Sequence, residues 1–109
     1  MVEAVCDCGA VRLEIARDPV ELNDCQCSWC QRTGALWAYY QTDEVRFLCE
    51  PDATYTYQRG PKRLDFHFCR TCGLLTHWSH RDRAKRRMGV NASLMPREVR
   101  EGARVIQGW

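Results

Sequence analysis

Eight cysteines in 109 residues constrain this chain more than any other feature. "CDCG" carries Cys6 and Cys8, "CQCSWC" carries Cys25, Cys27 and Cys30, "CRTCG" carries Cys69 and Cys72, and Cys49 stands alone. Spacings this short bring thiols together within one loop, as either a disulfide framework or a metal site requires. The opening residues, "MVEAVCDCGA", have neither the basic start nor the apolar stretch of a secretory signal. No apolar run approaches membrane-spanning length. The expected compartment is the reducing cytoplasm, where clustered cysteines are metal ligands rather than disulfides.

The first and third clusters share a design, two thiols followed by a glycine. Glycine tolerates a left-handed backbone, so the chain can fold back and aim its amides at the sulfurs. Two such half-sites make one closed zinc site from Cys6, Cys8, Cys69 and Cys72, and closed four-thiolate sites are structural. It would clamp about sixty residues of intervening chain, and structural zinc in small domains has an apparent binding energy of roughly 10–16 kcal/mol.

The middle cluster differs, because Cys30 runs into Gln31 and Arg32 instead of glycine. Cys25, Cys27 and Cys30 supply three corners of a tetrahedron. The fourth corner has three readings: Cys49, one of His67, His77 and His80, or an atom from outside the chain. Only the last leaves the open position by which catalytic zinc sites differ from structural ones.

Between the clusters the pattern is short alternating segments. "VRLEIA" puts Val11, Leu13 and Ile15 on one face; "ALWAYYQ", "EVRFLC", "ATYTYQ", "RLDFHF" and "LLTHWS" also read as strands. "RGPK" is a turn between two of them. One short helical turn is expected near the C-terminus in "NASLMPREVREG", capped by Asn91 or Ser93 and limited by Pro96. The expectation is a mostly β chain forming a single domain over residues 1–109.

The formal net charge is +2 with every thiol neutral. Seven ligating thiolates and two zinc ions would bring it to about −1. The run "RDRAKRR", Arg81 to Arg87, is interrupted by Asp82 and lacks interleaved aromatics. It is expected to be a solvated loop, and no nucleic-acid partner is expected.

With "CDCG", "CQCSWCQRTGALWAYY" and "FCRTCGLLTHW" in order, and "DRAKRRMGVNASLM" after them, the sequence resembles the glutathione-dependent formaldehyde-activating enzyme family. The resemblance runs from Cys6 to about Asn91. It implies a β-tent fold, a structural zinc on Cys6, Cys8, Cys69 and Cys72, and a catalytic zinc on Cys25, Cys27 and Cys30. Gln31 departs from the family pattern, where a basic residue is common.

The reaction so implied is a carbon–sulfur lyase reaction, addition of a thiol such as glutathione to formaldehyde or another small aldehyde, or its reverse. A general acid would protonate the emerging alkoxide. His77 in "THWSH" is the first candidate, with His80 behind it. Arg32 is the cation nearest in sequence for a glutathione carboxylate. The competing reading is a zinc-stapled β-tent binding module without catalysis.

Overall fold

The computed structural model describes residues 1–108; Trp109, the last residue of the expected domain, lies outside the described residues. The chain is mostly β, arranged as two sheets. The smaller sheet has the order β1–β2–β5, from Val2–Val5, Arg12–Ile15 and Val45–Phe47. The larger sheet has seven strands. Its central members are β4 (Trp37–Gln41), β9 (Arg87–Asn91), β8 (Leu75–His80) and β7 (Leu64–Cys69), with β6 (Thr54–Tyr57) at one edge. At the other edge β3 (Glu21–Asn23) and β10 (Arg104–Ile106) pair in parallel, while every other pairing is antiparallel.

Period-two alternation gives the larger sheet two different faces. On β4, Ala38 and Tyr40 join the core between the sheets, whereas Trp37 and Tyr39 belong to the opposite face. On β9, Met88 and Val90 point to the same core. The smaller sheet completes it with Val11, Leu13 and Ile15, all fully buried as the alternation in "VRLEIA" predicts. Burying each such side chain contributes about 1.5–3 kcal/mol. The opposite face gathers a second, aromatic cluster of Trp37, Phe66 and Trp78 against Cys30.

Helical structure is more extensive than the single C-terminal turn expected. The "NASL" turn forms with Asn91 as its cap, accepting from the Ser93 amide, and is a 3-10 turn over Ala92–Leu94. Pro96 ends it, and a separate helix, α2, covers Arg97–Glu101. The sequence reading missed α1, Ser28–Thr33, inside the middle cysteine cluster. Its apolar periodicity is invisible in six residues, and what holds it is a sulfur cap. The Cys27 Sγ accepts the Cys30 amide at one end, and Gly34 closes the other in a left-handed conformation with φ 71°.

Gly89 has a packing role that no turn explains. A Cβ there would lie 2.0 Å from the Trp78 indole nitrogen, so the indole lies across β9 because its cross-strand partner has no side chain. Gly89→Ala is expected to destabilise the fold by about 1–3 kcal/mol through overpacking. Combining it with Trp78→Leu should recover part of that loss in urea denaturation; strictly additive losses would contradict the contact.

Candidate metal centres and groove

The two glycine knuckles close on each other as a mirror of their sequences. Gly9 and Gly73 both have φ 81°. In the first knuckle the Val11 amide donates to Cys6 Sγ at 3.3 Å. In the second, the Thr71 and Cys72 amides both donate to Cys69 Sγ at 3.4 Å. The Cys6–Cys8, Cys6–Cys69 and Cys8–Cys69 sulfurs are 3.6, 3.7 and 3.5 Å apart. A disulfide would need about 2.05 Å. Four sulfurs around tetrahedral zinc at about 2.3 Å lie about 3.8 Å apart. Cys72 completes this group. The donor set and spacing fit zinc.

Ionisation in the group is divided as crowding of like charges requires. Burial opposes ionisation of Cys69, but the Cys72 and Thr71 amides outweigh it and hold the thiol down at about 6. At Cys8 the Ala10 amide favours the anion, yet desolvation and the neighbouring sulfurs push it up to about 11. Four thiolates this close need a cation among them. Metal removal with a strong chelator is expected to abolish the cooperative thermal transition and the native circular dichroism spectrum, with recovery on zinc addition. An unchanged spectrum would show that the clamp contributes little to folding.

Cys25, Cys27 and Cys30 form the second group, their sulfurs all within 4.8 Å of one another. Cys25 follows the end of β3, Cys27 caps α1, and Cys30 is the buried residue of its first turn. Gln31, the family departure, donates to the Cys25 carbonyl at 2.8 Å and so ties the loop to the helix. Burial pushes the Cys30 thiol up to about 12, with the Trp37 side chain opposing. Burial also acts on Cys27, but the Cys30 amide and neighbouring thiols lower it below the ordinary thiol value. Among the described residues no fourth cysteine, histidine or carboxylate joins these three. Cys49 instead packs against the core between the sheets. Three soft donors fit zinc, and their mutual repulsion is relieved by a cation.

These sulfurs line one wall of a groove of about 690 Å³ on the aromatic face of the larger sheet. Trp29, Trp37, Phe66 and Trp78 supply its apolar surface. Arg59, Arg63, Lys85 and Arg87 line it as well, with Glu21 as its carboxylate. Arg59 is anchored by a 2.6 Å bond to Ser28 Oγ, and the Arg87 guanidinium lies 4.1 Å from the Tyr39 ring centroid. Part of the basic run expected to be solvated thus reaches the groove, because alternation on β9 sends Arg87 away from the core.

The two remaining site expectations land elsewhere. His77 does not line the groove. It lies on the opposite face of β8 from Trp78 and His80, stacked 4.1 Å from His67 and beside Phe47 of the smaller sheet. Period two decides this: with Trp78 and His80 in the groove, His77 faces the core. Arg32 turns back on its own helix and donates to the Ser28 carbonyl at 3.1 Å. His80, by contrast, lines the groove.

Residues 1–106 match the sequence profile of the glutathione-dependent formaldehyde-activating enzyme family. The chain belongs to that family. A crystal structure of a Rhodobacter sphaeroides protein, a structural-genomics target, is similar at 28 % identity. That likeness has a TM-score of 0.75 and covers 95 % of this chain and 99 % of the other. No helix among the described residues is long and apolar enough to cross a membrane.

Burial lowers the His77 pKa to about 3, and His67 adds to the shift. The folded chain keeps this imidazole neutral while the unfolded chain protonates it below about 6.5. Stability is therefore full above the unfolded value and falls as pH drops towards the folded one. Between pH 7.5 and 5.5 this histidine should account for about 1.4 kcal/mol of lost stability. His77→Gln should flatten the profile by that amount in denaturant titrations at the two pH values; parallel profiles would contradict it.

Proposed function

We propose that this family member is a zinc-dependent enzyme of the carbon–sulfur lyase type. Residues 1–109 would form one β-tent domain that adds a thiol such as glutathione to formaldehyde or a related aldehyde, or reverses that addition. The observation that carries this reading is the three-cysteine group at the wall of a groove large enough for a small-molecule ligand, with no fourth side-chain ligand among the described residues. Cys6, Cys8, Cys69 and Cys72 would hold the structural ion, and Cys25, Cys27 and Cys30 the catalytic one. Zinc on three thiolates offers a position for a further soft sulfur and favours its anionic form.

The chain's own residues orient the reactants and handle the proton. Arg59, Arg63, Lys85 and Arg87 give the groove the positive charge that the two carboxylates of glutathione require. Trp29, Trp37 and Phe66 exclude water beside the sulfurs. Burial, with Lys85 and Arg87 nearby, lowers the His80 pKa. Its imidazole is neutral near pH 7 and suited to take the thiol proton and deliver it to the carbonyl oxygen as the sulfur–carbon bond forms. The thiol hydrogen ends on oxygen, the carbonyl π bond is lost, and nothing is oxidised or reduced.

Cys27→Ser is expected to abolish exchange between glutathione–formaldehyde adduct and its components, followed by exchange NMR, while thermal melting stays cooperative. His80→Gln should slow the same exchange by about 10²-fold. Unchanged exchange in the folded Cys27→Ser protein would remove the catalytic reading and leave a zinc-stapled binding module.

A further inference from the structure

We infer that the aldehyde this groove takes carries an aromatic ring, so that the adduct has a flat apolar group on one side of the new bond and an anionic thiol body on the other. The inference rests on the carbon–sulfur reading above and names the carbonyl partner within it. Formaldehyde is little larger than a water molecule, whose share of liquid volume is about 30 Å³, whereas the cavity holds about 690 Å³. Glutathione would occupy part of that space, but it is a polar peptide and demands polar partners. Those partners sit among the cations at Arg59, Arg63, Lys85 and Arg87. The surface against the sulfurs is of the opposite character.

That surface is built, not incidental. Trp37 and Phe66 pack against Cys30 in one buried cluster, with ring centroids 6.3 Å apart. Trp29 leans on Phe66 at 5.3 Å from the helix that carries Cys27 and Cys30. Trp78 extends the surface across β9, and it reaches there because Gly89 offers no Cβ. Tyr39 meets it edge-on at 6.1 Å. Trp37, Phe66 and Trp78 are themselves buried and back this surface, so the rings left open to the groove are those of half-buried Trp29 and Tyr39, whose faces and edges a further ring can stack on and a one-carbon substrate would leave wet. A hydrophobic site that large discriminates by added apolar bulk, typically about 10–200-fold for a single methylene-scale difference.

The reaction balances as before. The thiol sulfur bonds to the aldehyde carbon, the carbonyl π pair moves to oxygen, and the thiol proton follows it, giving an aryl hemithioacetal with no other reactant.

The test uses stable thioethers on the zinc-loaded protein. S-benzylglutathione stands in for the aromatic adduct and S-methylglutathione for the formaldehyde adduct, with affinities from isothermal titration calorimetry and tryptophan fluorescence. The benzyl compound is expected to bind about tenfold or more tightly. Trp29→Leu and Tyr39→Leu, checked for folding by circular dichroism, should cut that ratio to threefold or less, while Phe47→Leu on the other face leaves it unchanged. The wild-type ratio decides first and needs no variant. Equal binding, or tighter binding of the methyl compound, overturns the aromatic partner while leaving the carbon–sulfur reading standing. A preference that survives both groove substitutions in folded protein also overturns it. If neither thioether binds, the inference falls, and the Cys27→Ser exchange experiment decides separately whether the lyase reading falls with it.

Discussion

The interaction on which the rest of the structure depends is the meeting of two sulfur knuckles from distant parts of the chain. Cys6 and Cys8 follow the first strand of the smaller sheet, and Cys69 and Cys72 surround the turn between two central strands of the larger one. Their contact joins sheets that otherwise share only one modest apolar core. A chain of this length buries a smaller fraction of its surface than larger domains do, so a cross-link has unusual leverage. The backbone is shaped for it: glycines with φ 81° turn both loops so that amides, not side chains, point at the sulfurs.

Once the sheets are fastened, alternation along the central strands assigns every side chain to one of two environments. One face of the larger sheet builds the core, and the other builds an aromatic groove whose wall carries the second sulfur group. The two metal-competent groups therefore sit in different surroundings. The four-sulfur group bridges the sheets, while the three-sulfur group faces space. Burial acts on Cys30 and the helix-capping amide on Cys27 in opposite directions, so these two thiols are inequivalent before any cation arrives. One sheet thus divides the two sulfur groups, with the core and the four-sulfur group behind and the three groove-lining sulfurs in front.

Much of this was legible in the residues. The strands at "VRLEIA", "ALWAYYQ" and "RLDFHF" follow from alternation, the glycine knuckles from their spacing, and the division of cysteines into groups of four and three from counting. Less legible was α1, because six residues carry no amphipathic period and the helix owes its start to a thiol cap. Which histidine reaches the groove was also not legible from sequence. "THWSH" offers His77 and His80 with equal chemistry, and the strand's parity sends one into the core and the other into the groove. Parity could have been set by assuming that Trp78 faces the sulfurs, but nothing local said so. The place of Arg32 was hidden for a related reason, since nearness in sequence to Cys30 puts it on the outer side of a helix, where it bonds back to Ser28.

Composition and spacing by themselves determined that the chain is mostly β, that two groups of thiols converge, and which family it resembles, because those properties depend on local pattern and on the coordination demands of sulfur. Only the tertiary structure decided which faces of β8 and β9 meet the three-cysteine loop. It brought Arg59, Arg63, Lys85 and Arg87 together from separate segments, and laid Trp78 over the gap at Gly89. Those are long-range facts: they follow from strand order and register, which the sum of many weak contacts selects and no short stretch of chain encodes.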